Sequence, residues 1–279
     1  MKKIIGITIA LCALLSCKEK MTPSNATEKE ASSLTHDEIM ETVQFKEHAI
    51  KSIGILVYEG VNSLDVFGPR YVLGQLMGAK TKLIAIRPGN VKTVMGIEFV
   101  PDATIAEVDS LDILVIPGGF RGTIETAYDN DIQQWIRDID QTTTYTTSVC
   151  TGGWILGSTG LLKGKRATTN WYDAKHMMKK YGATFTNERF TKDGKYWTAA
   201  GVTAGMDMSL ALLEEIAGRD YAQGVMLDME YDPAPPFEGG SPEKTGTEVL
   251  KFMTTMYKSG IDPIIDEMER TKKSKAPKE

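Results

Sequence analysis

The feature that most constrains the fold of this chain is a set of continuous apolar runs separated by segments with helical spacing. The runs lie at 51–60 ("KSIGILVYEG"), 81–89 ("TKLIAIRPG") and 111–119 ("LDILVIPGG"). A run that is apolar at nearly every position suits a strand buried on both faces, which is typical of a parallel sheet covered by helices. Helical patterns such as the one at 129–140 complete the alternation. The sequence therefore predicts an α/β fold with a mostly parallel central sheet.

Composition divides the chain into four parts. Residues 1–17 hold a short apolar run behind two lysines, and residues 18–50 are polar and charged, which predicts a flexible tether. The alternating pattern occupies residues 51–245 as one domain. Residues 246–279 begin with apolar side chains at helical spacing over 247–257 and end in a charged tail.

The N-terminal segment predicts export and lipidation. Its apolar run, Ile4 to Leu15, is too short to span a bilayer, and it is followed by Ser16 and Cys17. The ending "LLSC" resembles the lipobox of bacterial lipoproteins, in which the cysteine becomes the lipidated first residue of the mature chain. A plain cleaved signal peptide with a chance cysteine is the alternative. We expect lipidation at Cys17, attachment to a membrane through this lipid only, and a location in the bacterial cell envelope, facing the periplasm or the outer surface.

Charge and residue spacing narrow the possible partners. The formal net charge is −5 and the isoelectric point is about 5.4, so electrostatics gives a nucleic-acid partner no support. No spacing typical of a metal site is present, and the sequence predicts neither a metal nor an organic cofactor. A small-molecule substrate is the expected partner.

Cys150 is the candidate nucleophile. Because Cys12 lies in the predicted signal and Cys17 would carry lipid, Cys150 is the lone thiol of the mature chain. It lies in "TTSVCTGGWILGS" at the end of a predicted strand and directly before a predicted helix, whose N-terminal amides favour a thiolate. A pKa depression of about three units needs about 4 kcal/mol, of which the helix dipole supplies at most about 2 kcal/mol. A second group must therefore assist, unless Cys150 is a buried, inert side chain.

Glycines on two predicted loops suggest donors for developing negative charge. Gly152 and Gly153 follow the cysteine, and Gly118 and Gly119 end the neighbouring predicted strand with bare amides. Such amides are typical of an oxyanion hole, and we assign Gly118, Gly119 and Gly152, together with Asn170, to oxyanion or substrate binding.

Several separate motifs, in order, resemble one family. These are "VIPGG", "SVCTGGWILGSTGLLKGKRATTNW", "WTAAGVTAGMDMSLALLEEIAG" and "MEYDPAPPFEGGSPEK". Over residues 51–245 the chain resembles the ThiJ/PfpI superfamily, a class I glutamine-amidotransferase-like group, and within it the isonitrile hydratase branch. The resemblance implies a flavodoxin-like three-layer sandwich, a homodimer, and a cysteine on a strained nucleophile elbow.

The resemblance also implies roles for individual residues. In that branch a threonine follows the cysteine, as Thr151 does here, and an acidic residue of the first strand–helix connection approaches the sulfur; by position that residue is Asp65. A proton shared between the Asp65 carboxyl and the Cys150 sulfur would supply the missing stabilisation of the thiolate. The alternative is that Asp65 is a helix N-cap.

One departure from the family bears on the chemistry. Many relatives carry histidine after "ATT", where this chain has Asn170, and His176 is predicted to be solvated. A Cys–His dyad therefore has no candidate, and peptidase activity is disfavoured. The general base is Asp65, or water held by Asn170 and Thr151.

Three functions remain open from the sequence. The first is an isonitrile hydratase-like enzyme that uses a Cys150 thiolate assisted by Asp65. The second is a glyoxalase- or deglycase-like enzyme acting on reactive carbonyls, for which the missing histidine is unfavourable. The third is a non-catalytic ligand-binding or redox-sensing lipoprotein.

Overall fold

The computed structural model describes Thr35, Glu38 and residues 45–275, and the last range belongs to one compact unit. The predicted signal, Cys17 and most of the predicted tether lie outside the described residues. Residues 45–50, predicted as the end of the tether, already contact the folded body. The Lys46 N–H donates to the Ala217 carbonyl at 2.9 Å, and the rings of Phe45 and Tyr221 meet edge to face at 5.3 Å. Packing therefore begins before residue 51.

The described residues form eleven strands, most of which belong to one sheet. Numbered in chain order, they are β1 (Ser52–Val57), β2 (Lys80–Ala85), β3 (Val91–Lys92), β4 (Glu98–Phe99), β5 (Ala103–Thr104), β6 (Ile113–Ile116), β7 (Tyr145–Val149), β8 (Arg166–Ala167), β9 (Thr184–Phe185), β10 (Phe190–Asp193) and β11 (Tyr196–Ala199). The main sheet has the order β10-β11-β7-β6-β1-β2-β5, and only the β10–β11 pair is antiparallel. The predicted parallel sheet is confirmed.

Eight α-helices are described in the same part of the chain. They are α1 (Ser63–Gly74), α2 (Arg121–Tyr128), α3 (Asn130–Asp140), α4 (Gly152–Ser158), α5 (Ala174–Lys180), α6 (Val202–Ala217), α7 (Arg219–Asp228) and α8 (Thr247–Lys275). Helices α1, α6 and α7 pack together in one layer, while α2, α3, α4 and α8 pack in the other. The fold is the predicted α/β sandwich, with helices covering both faces of the sheet.

The apolar runs fill the core between these layers. Ile53, Ile55 and Leu56 of β1 are fully buried, as are all four residues of β6. At about 1.5–3 kcal/mol for each large aliphatic side chain removed from water, these strands supply much of the drive for folding.

The strand order places several loops at one point above the sheet. From β1 the chain moves outward to β2 and β5, then returns to the other side of β1 with β6 and continues to β7. Ligands of open parallel sheets bind at the carboxyl ends of the strands where the order reverses. Here that point lies between β1 and β6, beside the loop that follows β7.

Two elements differ from the sequence-based expectation. Pro69 lies inside α1, which continues through it, although proline disfavours the interior of a helix. Helix α8 extends to Lys275 and contains Pro263, whereas the apolar spacing predicted a helix only over 247–257. In both cases packing of the helix against the body offsets the loss of the backbone hydrogen bond that proline cannot donate.

Exposed apolar side chains lie on α1 and near the β3–β4 hairpin. The rings of Phe67 on α1 and Phe99 on β4 contact each other at 5.4 Å and so connect these two elements. The exposed side chains include Leu64, Tyr71, Met95, Ile97 and Val100. The homodimer stays a prediction.

In the described part of the chain, no helix is both long and apolar enough to cross a membrane.

Gly152, the first residue of α4, approaches β6 too closely for any side chain. A Cβ at this position would lie 2.0 Å from the Ile116 carbonyl oxygen. We expect Gly152→Ala to lower the free energy of unfolding by roughly 1–3 kcal/mol, because backbone must move to admit the methyl group. Urea unfolding followed by circular dichroism measures this loss.

Gly74 provides the matched control. A Cβ there would meet nothing within 4 Å, so Gly74→Ala should be neutral or stabilising by up to about 1 kcal/mol. Equal unfolding midpoints for the two variants would contradict the close approach of α4 to β6.

Candidate active site

Cys150 lies on a strained turn between β7 and α4. Its φ is 59°, in the left-handed region that costs a residue other than glycine about 1–3 kcal/mol. Its own N–H donates to the Ala199 carbonyl at 2.9 Å, and the Thr169 hydroxyl donates to its carbonyl at 2.7 Å. These two bonds hold the sulfur at the end of the sheet, on the predicted nucleophile elbow.

Asp65 reaches this site from α1 and is completely buried. The N-cap of α1 is Asn62, whose side chain accepts the Leu64 N–H at 3.0 Å, so the N-cap alternative for Asp65 is wrong. Asp65 Oδ2 instead accepts the Gly118 N–H at 3.1 Å, and its carboxyl lies against the Cys150 thiol. Its other oxygen, Oδ1, has no well-aligned hydrogen bond within the described chain.

The amides of Gly118 and Gly119 are engaged, which corrects the expectation of bare donors. The Gly118 N–H serves Asp65, and the Gly119 N–H donates to Thr151 Oγ1 at 3.0 Å. Thr151 Oγ1 in turn donates to the Gly119 carbonyl at 3.0 Å. A Cβ at Gly118 would lie 2.7 Å from the Thr151 nitrogen. These glycines therefore position Asp65 and Thr151, while the backbone N–H of Thr151 itself points at the sulfur.

Asn170 contacts the sulfur directly. Its Nδ2 lies 3.3 Å from Cys150 Sγ, and its Oδ1 accepts the Tyr172 N–H at 3.0 Å. The bond from Tyr172 fixes which end of the amide faces the thiol. Asn170 thus donates to the sulfur without being able to titrate.

Burial controls the pKa of Asp65. Desolvation raises the pKa of this carboxyl from 3.8 to about 7, although hydrogen bonds from the Gly118 N–H and the Cys150 thiol act in the opposite direction. Asp65 is therefore a carboxyl group that gains and loses its proton near neutral pH.

The same burial raises the pKa of the Cys150 thiol, and the charge of Asp65 raises it further. The Thr151 N–H and the Asn170 amide lower it, but by less. This corrects the expectation that the helix N-terminus and Asp65 depress the pKa. Cys150 is only 7% exposed, so loss of hydration outweighs the dipole of the short α4. The thiol therefore holds its proton to a higher pH than an ordinary cysteine does, and Asp65, whose pKa is about 7, is the group beside it that can accept a proton near neutral pH.

His176 takes no part in the site. Its side chain is 68% exposed and pairs with Asp173 at 2.6 Å, as expected for a solvated residue.

Sequence reasoning missed two contributors. Thr169, in the same "ATTNW" motif as Asn170, holds the elbow carbonyl. The second is Tyr257 of α8. Burial raises the pKa of Tyr257, and the charges of Cys150 and Asp65 raise it further. A motif offered a signal for Thr169, but nothing local in the sequence links Tyr257 to Cys150.

The fold and the site together define an α/β protein with a cysteine on a nucleophile elbow and a buried carboxyl partner. The chain belongs to the DJ-1/PfpI family, whose model matches residues 51–215. This confirms the family resemblance.

Three relatives show the range of the family. Isonitrile hydratase of Pseudomonas putida is 39% identical over 199 residues, which is 71% of this chain and 86% of that protein. A ThiJ/PfpI family protein from Pseudomonas syringae has a solved structure with a TM-score of 0.77 and 34% identity, covering 82% of this chain and 94% of the other. The HTH-type transcriptional regulator CdhR of Pseudomonas aeruginosa is 30% identical over 135 residues, 48% of this chain and 40% of the regulator.

The raised pKa of Asp65 predicts a pH-dependent cost to stability. The unfolded chain ionises this carboxyl near pH 3.8, whereas the folded chain holds the proton to about pH 7, so stability falls as the pH rises between these values. We expect Asp65→Asn to stabilise the protein more at about pH 8 than at about pH 5, by roughly 2 kcal/mol. Urea unfolding at the two pH values measures the difference.

Asp112 is the control, because its pKa is shifted in the opposite direction to that of Asp65. Burial works against its ionisation, but the N–H groups of Lys51 and Ser52 outweigh burial and hold its pKa below 3.8. Asp112→Asn should therefore destabilise the protein at about pH 8. An Asp65→Asn effect that is the same at both pH values would show that Asp65 ionises normally.

Proposed function

We propose that this chain is a cysteine-dependent enzyme that adds water to a small isonitrile, R–N≡C, and releases the N-substituted formamide. The observation that carries the proposal is the Asp65 carboxyl, fully buried beside the Cys150 thiol with its pKa raised to about 7. The 39% identity to isonitrile hydratase of Pseudomonas putida supports the choice of substrate.

In the first step the Cys150 sulfur attacks the terminal carbon of the isonitrile. The Asp65 carboxylate takes the thiol proton as the carbon–sulfur bond forms, and then delivers that proton to the same carbon. The product is a thioimidate, R–N=CH–S–Cys150. A base with a pKa near the working pH suits both halves of this transfer.

In the second step a water molecule adds to the thioimidate carbon. Asp65 accepts a proton from the attacking water and delivers it to the nitrogen. The carbon–sulfur bond then breaks, and the second proton of the water passes through Asp65 to the sulfur and restores the thiol. The sum is R–N≡C plus H₂O giving R–NH–CHO, so atoms balance and no electrons are transferred to or from an outside group.

The remaining side chains stabilise charge or position the pair. The Thr151 N–H and the Asn170 amide face the sulfur and stabilise the negative charge that it carries during attack and departure. Gly118 and Gly119 hold Asp65 and Thr151 in place through their N–H groups.

The other two functions have weaker support. Carbonyl chemistry of the glyoxalase or deglycase type benefits from a proton shuttle, and His176 is solvated and paired with Asp173. Redox sensing favours an accessible thiol of low pKa, whereas Cys150 is 7% exposed and its pKa is raised.

The proposal predicts an acid limit to activity. Below about pH 7 Asp65 is protonated and cannot accept the thiol proton, so kcat/KM for methyl isonitrile should fall about tenfold for each further pH unit. Cys150→Ser should abolish formamide production, and Asp65→Asn should reduce it by roughly 10²–10⁴-fold. Formamide formation followed by chromatography measures these changes.

His176→Ala is the matched control and should keep full activity, because His176 lies in solvent. Activity retained in Cys150→Ser, or lost in His176→Ala, would contradict the proposed roles.

We further propose that Cys17 carries a lipid that anchors the protein in the cell envelope, as the "LLSC" ending suggests. In a bacterial host grown with labelled palmitate, the full chain should incorporate label and sediment with membranes. Cys17→Ala should lose both properties, and Cys12→Ala should keep them. Label persisting in Cys17→Ala would contradict lipidation at this residue.

A further inference from the structure

Two loops of the Cys150 site continue directly into aromatic residues. Phe120 follows Gly119, whose N–H binds Thr151, and Trp171 follows Asn170, whose amide binds the sulfur. Both rings are only partly buried by the core. An aromatic residue therefore directly follows each of two loops that contact the site.

Tyr257 of α8 lies between these two sides. Its ring centroid is 6.1 Å from that of Phe120 and 5.0 Å from that of Trp171. Tyr172 is a further neighbour at 5.3 Å. One residue of a distant helix thus connects the aromatic side chains that follow both loops.

Helix α8 is held in this position along its length. Gly260 packs so closely on Phe120 that a Cβ would lie 2.7 Å from the ring, and Ile261 and Ile264 are buried. The Tyr172 hydroxyl donates to Asp262 at 2.9 Å. Farther along, ion pairs join Arg121 to Glu267 at 3.4 Å and Lys180 to Glu269 at 2.8 Å.

The electrostatics agree with this placement. Burial raises the pKa of Tyr257, and the charges of Cys150 and Asp65 raise it further. Cys150 itself is 7% exposed. Solvent therefore reaches little of this residue.

We propose that Tyr257 is a specificity-determining residue, whose ring on α8 spans Phe120 and Trp171 and limits the size of the substituent that can reach Cys150. A ring that is fixed in place excludes large substrates by a steric clash. Such a clash discriminates more strongly than the loss of one favourable contact. The rings of Tyr257, Phe120 and Trp171 are uncharged, so they suit a small, neutral substituent R. The identity of the substrate rests on the proposed function, whereas the size limit rests only on the position of Tyr257.

The test compares two reagents that alkylate cysteine, small iodoacetamide and bulky N-phenylmaleimide, on the full chain. Mass spectrometry of the peptide containing Cys150 separates this thiol from Cys12 and Cys17. Tyr257→Ala should raise the ratio of bulky to small alkylation rates at least about tenfold, while Tyr257→Phe keeps the wild-type ratio. Phe252→Ala is the matched control, since Phe252 lies on the same helix but is 65% exposed.

The second readout is kcat/KM for benzyl isonitrile relative to methyl isonitrile. Tyr257→Ala should raise this ratio about as much as it raises the alkylation ratio. General damage to the site would instead lower kcat/KM for both substrates equally. If the wild type hydrates neither isonitrile but the alkylation ratio rises, the proposed function fails and the size limit stands.

An alkylation ratio that is unchanged in Tyr257→Ala, or raised equally in Phe252→Ala, would overturn the proposal. So would an unchanged benzyl-to-methyl ratio in an active Tyr257→Ala protein. Unfolding midpoints establish that each variant is folded, and Tyr257→Leu replaces Tyr257→Ala if the alanine variant is not.

Discussion

The contact between the Asp65 carboxyl and the Cys150 thiol is the interaction on which the rest of the site depends. Two groups that can each carry negative charge share a space from which water is excluded, so they cannot easily be charged together. Burial disfavours ionisation of both, and the lower-pKa member, Asp65, becomes the group that titrates near neutral pH. A reactive thiol is usually obtained by lowering its pKa. Here the chain instead places a carboxyl group that titrates near neutral pH beside a thiol whose own pKa is raised.

The fold positions this pair through close backbone approaches. Gly152 sets α4 against β6, Gly118 admits both Asp65 and the Thr151 backbone, and Thr169 holds the carbonyl of the strained Cys150. The left-handed φ of Cys150 and the buried carboxylate both cost stability, and the fully apolar central strands offset that cost. The parallel sheet therefore acts as a rigid support, and strain and buried charge are confined to the carboxyl ends of its strands.

Much of this arrangement could be predicted from sequence, because its signals are local. The apolar runs indicated the parallel strands, the strand–Cys–Thr–Gly–Gly pattern placed Cys150 between a strand and a helix, and the family resemblance implied the elbow. What could not be predicted depends on distant partners. Whether the amides of Gly118 and Gly119 are free depends on Asp65 and Thr151, and the direction of the Cys150 pKa depends on how completely the thiol is buried. The ring of Tyr257 contacts Phe120 and Trp171, and Gly260 of the same helix lies against Phe120; the apolar spacing over 247–257 does not indicate where α8 packs.

The protonation state of Asp65 is the most direct test of this account. Infrared difference spectra of wild type and Asp65→Asn isolate the carbonyl stretch of the protonated Asp65 carboxyl as a function of pH. The account predicts that this band disappears with a midpoint at about pH 7, since burial holds the proton on the carboxyl well above its ordinary range. A carboxyl that is already ionised at about pH 5 would contradict it, because Asp65 would then titrate as an ordinary aspartate and could not exchange a proton with Cys150 near neutral pH.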